Sequence, residues 1–142
     1  MSGHRAGAIV LAGIDGTRTS MRAGAYAVGL ARRQRSCLVL AHVASRPNLA
    51  IEPSFVASGV TANDEAVADL WHEVGTEVDL ASMEVEYVTG QGEVAAELAR
   101  IACDLGAAAV VVGASEQLRH RWIGSVGARL VARRLWPVVV VP

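Results

Sequence analysis

The sequence predicts one α/β domain in which five β-strands alternate with four α-helices. Continuously apolar segments such as residues 6–14 and 107–113 are typical of strands buried on both faces of a sheet. Between such segments, apolar residues recur at helical spacing, as in residues 19–35 and 89–106. Because strands that alternate with helices form parallel sheets covered on both faces, the pattern predicts a doubly wound five-stranded parallel sheet.

The predicted strands differ in how much of each is expected to be buried. The segment MEVEYV alternates apolar and polar residues, which indicates a half-exposed strand at a sheet edge, whereas the last segment, PVVVVP, is apolar throughout. The five predicted strands are residues 6–14, 37–43, 83–88, 107–113 and 137–142.

The predicted helices show the usual signals at their ends. The first has Ser and Thr residues at its start and arginines at its end, and its predicted inward stripe is Met21, Ala25 and Val28. The third is expected to stop at Gly106, and the fourth to run from 125 to 135, before Pro137. The four predicted helices lie within residues 19–35, 63–81, 89–106 and 125–135. Residues 44–62 are expected to form a long loop.

Composition restricts the classes of function. No apolar run approaches the roughly 20 residues that span a bilayer, so no membrane segment is expected. The apolar run near the amino terminus leads directly into Asp15 and is interpreted as a strand rather than a signal peptide. Cys37 and Cys103 lie in apolar segments, which favours structural thiols and a cytoplasmic protein. The four histidines lack ligand spacing, so no metal site is predicted.

The charges are unevenly distributed along the chain. Residues 1–51 hold seven arginines and one acid, residues 52–104 hold one arginine and twelve acids, and residues 105–142 hold five arginines and one acid. All thirteen basic residues are arginines, which excludes a Schiff-base lysine and a P-loop lysine. Nucleic acid binding is not expected, because no aromatic residues accompany the arginines in a basic stripe.

Four segments together resemble the universal stress protein family, and the resemblance covers essentially the whole chain. They are GIDGTRTSMRA after the first strand, LAHV at the end of the second, VTGQGEVAAELARIACDLGAAAVVVGAS, and GSVGARLVARRLWPVVVV. The resemblance implies a sheet of strand order 3-2-1-4-5, an adenine nucleotide alpha hydrolase-like fold. It also implies an adenine nucleotide site in some members, and homodimers that pair through the last strand, here Val138, Val139, Val140 and Val141.

Right-handed crossovers agree with that strand order and locate a crevice between strands 1 and 4. Ligands of doubly wound sheets bind at such a switch point, beyond the carboxyl ends of the strands. Asp15 follows strand 1 there and Gly113 ends strand 4. Arg18 and Arg22 on one side, and Arg119 and Arg121 on the other, lie on segments that start at the crevice. These arginines would attract an anion.

The resemblance also implies roles for individual residues. Nucleotide-binding members resemble one another in a loop G-x2-G-x9-G-[S/T]. Asp15 matches the acid that contacts the adenosine part, and Val43 matches the residue that lines the adenine pocket. Gly113 matches the first glycine of the loop, and Gly124, Ser125 and Val126 match its end. The residues alone permit other interpretations: Asp15 could form a turn, Val43 could belong to the core, and Ser125 could cap a helix.

The middle of this loop departs from the family pattern. Glu116 stands at the second glycine, and the loop is two residues shorter than the pattern. A carboxylate roughly 5 Å from a phosphate charge is repelled by roughly 3 kcal/mol at an effective dielectric constant near 20. Arg119 or Arg121 could neutralise Glu116 or could bind phosphate directly, and the sequence is compatible with both arrangements. Trp122 is a candidate to fill part of the cleft.

The sequence therefore favours a non-catalytic stress-response protein that acts as a homodimer and has a degraded adenine nucleotide site. No spacing or motif indicates a catalytic triad or a pair of carboxylates. The alternative is a sensor that binds ATP, AMP or a cyclic nucleotide, with Mg²⁺ if the ligand is ATP and with at most slow hydrolysis. A dinucleotide enzyme is disfavoured, because G-x-G-x-x-G does not follow the first strand.

Overall fold

A computed structural model describes residues 7–44, 68–75, 80, 83–115 and 125–142. Within these ranges strands and helices alternate, and residues 68–75 are helical and are called α2. The other elements are β1 (Ile9–Gly13), α1 (Arg18–Gln34), β2 (Cys37–Ala44), β3 (Val85–Gln91), α3 (Val94–Leu105), β4 (Ala109–Gly113), α4 (Ser125–Ala132) and β5 (Val138–Val141).

The five strands form one parallel sheet in the order β3-β2-β1-β4-β5. Strand β1 is central, and its residue Leu11 pairs with Val39 of β2 on one side and with Val110 of β4 on the other. The predicted fold class and the strand order 3-2-1-4-5 are therefore confirmed. Because the chain reverses its direction across the sheet between β1 and β4, the switch point lies between these two strands.

Each face of the sheet is covered by two helices, and this gives two core layers. Side chains alternate along β1, so that Ile9 and Leu11 enter one layer while Val10 and Ala12 enter the other. Helices α3 and α4 cover the first layer, and α1 and α2 cover the second. Among the described residues, no helix combines the length and the apolar character needed to cross a bilayer.

Helix α1 packs on the sheet through a stripe that shares Val28 with the predicted one but differs from it elsewhere. Its buried residues are Ser20, Ala23, Gly24, Ala27, Val28 and Ala31. Ala25, predicted to face inward, is exposed, and Met21 is only partly buried. The buried stripe is displaced by one residue, which corresponds to a rotation of about 100° around the helix axis. Small residues face the sheet because the approach is close: a Cβ at Gly24 would lie 3.0 Å from Ile14 Cδ1.

The carboxyl ends of β3 and α4 also differ from those predicted. Strand β3 continues to Gln91, where a loop was expected, because Thr89 and Gln91 pair with the end of the long strand β2. Helix α4 ends at Ala132 instead of Leu135, and Arg134 adopts a left-handed backbone with φ of 58°. The predicted stop of α3 is confirmed, since Gly106 forms a left-handed cap with φ of 64°.

Candidate functional site

A cleft of about 380 Å³ opens at the carboxyl ends of β1 and β4, at the switch point. Its size lies within the range usual for small-molecule sites. The described residues that line it come from the ends of β1, β2 and β4 and from the starts of α1, α3 and α4. They are Gly13, Ile14, Asp15, Thr17, Thr19, Ser20, Val43, Val94, Val112, Gly113, Ala114, Ser115, Ser125 and Val126.

The structure brings together five residues that the sequence analysis identified separately as candidates for a nucleotide site. Asp15, Val43, Gly113, Ser125 and Val126 all line this one cleft. They come from four segments of the chain that the parallel sheet aligns at one edge. Arg18 and Arg22, which were expected near the crevice, are not among its described lining residues. The other predicted site residues, Arg119, Arg121 and Gly124, lie outside the described residues, as do Glu116, Trp122 and most of the long loop. Their roles stay predictions.

Asp15 is held in place by the first turn of α1. Its Oδ1 accepts hydrogen bonds from the Thr17 amide at 2.9 Å and from the Thr17 hydroxyl at 2.6 Å. Its own amide donates to Ser20 Oγ at 3.1 Å. Partial burial alone would raise the pKa of Asp15, but the bonds from Thr17 and Ser20 and the charge of nearby His42 outweigh burial and lower the pKa. Asp15 is therefore an oriented carboxylate that favours the ionised form.

Thr17 links this carboxylate to the helix. It is the N-cap of α1 and its side chain accepts a hydrogen bond from the Ser20 amide. The Thr17 hydroxyl thus donates to Asp15 while it accepts from the helix. Asp15, Thr17 and Ser20 are thus joined by hydrogen bonds at the start of α1. Asp15 forms a turn, which is one of the interpretations that the sequence permitted.

His42 was not identified as part of the site from the sequence. Its Nδ1 lies 2.9 Å from the carbonyl oxygen of Ile14, directly before Asp15. The residue is partly buried beside Val43 in β2. The sequence did carry one indication that His42 lies near the site: it precedes Val43 at the carboxyl end of a strand expected beside β1. His42 therefore supports the backbone from which Asp15 projects.

Gly113 allows β4 and α1 to approach each other closely. A Cβ at this position would lie 2.5 Å from the carbonyl carbon of Thr19 and 2.7 Å from the amide nitrogen of Ser20. One residue further, the Thr19 hydroxyl donates to the Ala114 carbonyl at 2.7 Å. The sequence explained this glycine by the approach of a phosphate, whereas the structure shows a packing requirement that applies with or without a ligand.

The lining combines two kinds of side chain. Five are apolar and branched: Ile14, Val43, Val94, Val112 and Val126. Five carry hydroxyls: Thr17, Thr19, Ser20, Ser115 and Ser125. Asp15 is the only ionisable side chain among the described lining residues. Such a lining can contact an apolar ring and also hydrogen-bond polar groups of the same ligand.

Helix α4 is described from Ser125 onward, and Ser125 and Val126 on it line the cleft. Ser125 therefore brings a hydroxyl to the cleft, a donor that can bond an anion. The residues before Ser125 lie outside the described ranges, so its role as a helix cap stays a prediction.

An ion pair joins α3 and α4 beside the cleft. Glu93 is the N-cap of α3 and accepts hydrogen bonds from the amides of Ala95 at 3.3 Å and Ala96 at 2.7 Å. Arg129 Nη1 of α4 donates to Glu93 Oε1 at 2.8 Å. The bond from Ala96 lowers the pKa of Glu93 most, slight burial opposes it, and the Ala95 amide and Arg129 lower it further. Sequence reasoning missed this pair, because its partners are 36 residues apart.

A second group of potential ligand atoms lies away from the cleft. The Sγ of Cys37 and carboxylate oxygens of Glu84 and Glu86 lie within 4.8 Å of one another. They are at the amino ends of β2 and β3, whereas the cleft is at the carboxyl ends of the strands. This group takes no part in the cleft. The prediction that the chain has no metal site stays a prediction.

Comparison with known proteins agrees with this geometry. No curated protein matches the chain, but 66 solved chains do. Universal stress protein UspA from Lactobacillus plantarum is 17% identical, with 95% of this chain and 97% of that one covered and a TM-score of 0.75. A universal stress protein in complex with cAMP is 24% identical, with coverages of 96% and 98% and a TM-score of 0.73. One from Archaeoglobus fulgidus in complex with dAMP is 19% identical, with coverages of 97% and 99% and a TM-score of 0.58.

These likenesses show the fold. The family itself is shown by the sequence, because the model of the universal stress protein family matches residues 8–142. That match includes every described residue of the cleft. The chain belongs to the universal stress protein family.

Proposed function

We propose that this chain is a non-catalytic, stress-related homodimer that binds an adenine mononucleotide weakly in the cleft between β1 and β4. The observation that carries the proposal is the convergence of Asp15, Val43, Gly113, Ser125 and Val126 on one cavity. By the sequence resemblance, these residues correspond to nucleotide-binding positions of the family. The complexes of related proteins with cAMP and dAMP support an adenine nucleotide as the ligand class.

The lining supports a ligand with little negative charge. The only ionisable side chain among the described lining residues is Asp15, whose hydrogen bonds favour the carboxylate. A triphosphate would bring several negative charges into a cleft that already holds the negative charge of Asp15. A mononucleotide or cyclic nucleotide places its base against the valines and one phosphate near Ser125. We therefore propose that AMP or a cyclic nucleotide binds better than ATP, and that binding is weak.

The chemistry of Asp15 supports a binding role without catalysis. A general acid at neutral pH needs a raised pKa, and a general base must be able to take up a proton. The pKa of Asp15 is lowered, and its Oδ1 already accepts two hydrogen bonds from Thr17. This carboxylate is suited to accept hydrogen bonds from a ligand such as a sugar hydroxyl.

Isothermal titration with adenosine, AMP, cAMP and ATP·Mg²⁺ tests the proposal. We expect AMP and cAMP to bind more tightly than ATP. The Asp15→Asn variant should weaken adenosine and AMP alike by about tenfold, which is about 1.4 kcal/mol, because the contact is to the nucleoside. Asp69→Asn, an exposed change on α2, is the matched control and should leave binding unchanged. Tighter binding of ATP, or no binding by any of the four ligands, would contradict the proposal.

The homodimer is proposed to form at strand β5. This strand is at the edge of the sheet, paired with β4 on one side. All four of its valines are only partly buried. A partly buried apolar strand with an open edge favours pairing with another copy of the chain.

A further inference from the structure

We propose that Arg129 is the residue that contacts the phosphate of the bound nucleotide and that Glu93 competes with the phosphate for it. This inference rests on the proposed function, since it concerns the ligand of the same cleft. It assigns phosphate recognition to Arg129, a cation on the rim of the cleft. Arg129 lies outside the loop G-x2-G-x9-G-[S/T] of the family. The Glu93–Arg129 pair would then determine how much negative charge the cleft accepts.

The position of Arg129 follows from its helix. Ser125 lines the cleft, and Arg129 lies four residues later, which places it on the same face of α4 one turn further on. Side chains of a helix lean toward its amino end, so the side chain of Arg129 extends back over the turn that begins at Ser125. Its guanidinium reaches Glu93, the residue before Val94, which also lines the cleft. The ion pair therefore lies between two lining segments.

Arg129 can leave Glu93 at little cost. Its side chain is 63% exposed and that of Glu93 is 48% exposed. Exposed ion pairs contribute little to stability, because water screens them and both side chains lose freedom. The carboxylate of Glu93 also remains bonded to the amides of Ala95 and Ala96 when the arginine departs. Neither α3 nor its cap depends on the arginine.

A phosphate is a stronger partner for Arg129 than Glu93 is. The contact to Glu93 uses one nitrogen, Nη1, whereas a guanidinium can donate two parallel hydrogen bonds to a phosphate. The carboxylate of Glu93 stays at the rim after the exchange and repels the same phosphate. The two residues thus act in opposite directions on affinity, which makes their effects separable by mutation.

Titration of adenosine and AMP into three variants tests the inference. Glu93→Gln keeps an oxygen that can cap α3 but removes the charge, and we expect AMP to bind about threefold to tenfold more tightly. Arg129→Gln should weaken AMP by about tenfold. Neither variant should change the affinity for adenosine, which has no phosphate. Arg100→Gln is the control: it breaks two ion pairs on the outside of α3, with Glu97 and with Asp104, and should leave the affinity for both ligands unchanged.

The outcomes separate this inference from the proposed function. If adenosine and AMP bind but Arg129→Gln affects both equally, or affects neither, Arg129 does not contact the phosphate and the inference alone is wrong. If the unmodified protein binds neither ligand, both proposals fall. Far-ultraviolet circular dichroism and melting temperature show whether each variant remains folded, so that a loss of AMP affinity is not confused with unfolding.

Discussion

Gly113 shows how one missing side chain can fix the distance between a strand and a helix. The backbone of Thr19 and Ser20 occupies the space that a Cβ at Gly113 would need. That close approach also positions the Thr19 hydroxyl to bond the Ala114 carbonyl. The two walls of the cleft are therefore joined directly, on the side where α1 begins.

Replacing this glycine is expected to destabilise the fold. Gly113→Ala should lower the free energy of unfolding by about 1–3 kcal/mol, because backbone atoms 2.5–2.7 Å from the new Cβ have to move. Gly75→Ala is the control, since nothing lies within 4 Å of a Cβ there. Urea denaturation of both variants measures the difference. Equal stability of the two would show that the contact at Gly113 relaxes without cost.

Asp15 gives the protein a specific dependence on pH. Its pKa in the folded chain lies below the ordinary value of 3.8, so folding favours the ionised carboxylate. The resulting stabilisation is fully present above about 3.8 and is lost as the pH falls through the lower folded value. Asp15→Asn removes this contribution, because an amide does not ionise.

We therefore expect the native protein to be more stable than Asp15→Asn near neutral pH, and the difference to shrink once the pH falls below about 3.8. Thermal or urea unfolding between pH 7 and pH 2.5 measures it. The Asp69→Asn variant provides the comparison for a carboxylate exposed on α2. A stability difference for Asp15→Asn that is constant across this range would show that the charge is not responsible.

At the scale of elements, helix α4 contributes lining residues to the cleft although few of its own residues are buried in the core. Two of its eight residues, Gly127 and Leu130, are buried, and Leu130 is fully buried against the layer that includes Leu98 and Val110. Ser125 and Val126 reach the cleft from the start of this helix. Their positions therefore depend on how firmly Leu130 holds α4 to the sheet.

Truncating Leu130 tests this dependence. Leu130→Ala should cost about 3 kcal/mol of unfolding free energy, since it removes a fully buried side chain and leaves a cavity. Val131→Ala is the neighbouring control and should change stability by about 0.5 kcal/mol or less, because Val131 is 48% exposed. Urea denaturation at low temperature measures both. Similar values for the two variants would contradict the packing of α4.

Features that depend on neighbouring residues in the sequence were predictable. Features that depend on residues far apart in the sequence were not. The Gly106 stop follows from a short stretch of chain, and the prediction was confirmed. The inward face of α1 depends on how closely it approaches β1 and β4, and the prediction for Ala25 was wrong. Thr19 and Ala114 are 95 residues apart, so no local pattern indicates their hydrogen bond. Site residues that directly follow a strand, such as Asp15, could be predicted, because parallel strands end at the same side of the sheet.

At the scale of the whole molecule, the two edges of the sheet differ. Strand β3 borders one edge, and Tyr87 on it is packed against Trp71 with ring centroids 4.9 Å apart. Strand β5 borders the other edge. The Val110 amide donates to the Pro137 carbonyl and the Ala114 amide to the Val141 carbonyl. Strand geometry then directs the amide of Val140 away from β4, toward the open edge.

Proline substitution at this amide tests the proposed dimer. Val140→Pro removes a donor that β4 does not use, and we expect a folded monomer by light scattering after size-exclusion chromatography. Thr89→Pro is the matched control, because its amide is directed to the outer edge of β3, as the bond from the Leu38 amide to the Glu84 carbonyl implies. It should leave the dimer intact. A dimeric mass for folded Val140→Pro would locate the interface elsewhere.

The central place of β1 has a consequence for how the chain is made. Val10 pairs with Ala109, so one side of the first strand has its partner only after most of the chain has been synthesised. Until then a growing chain on the ribosome presents an apolar strand with unpaired backbone groups, a surface open to aggregation and to chaperones. The arrival of β4 closes that edge and creates the switch point in the same step. The strand ends between which the cleft opens therefore come together when the second side of β1 is paired, and α4 adds Ser125 and Val126 to the lining afterwards.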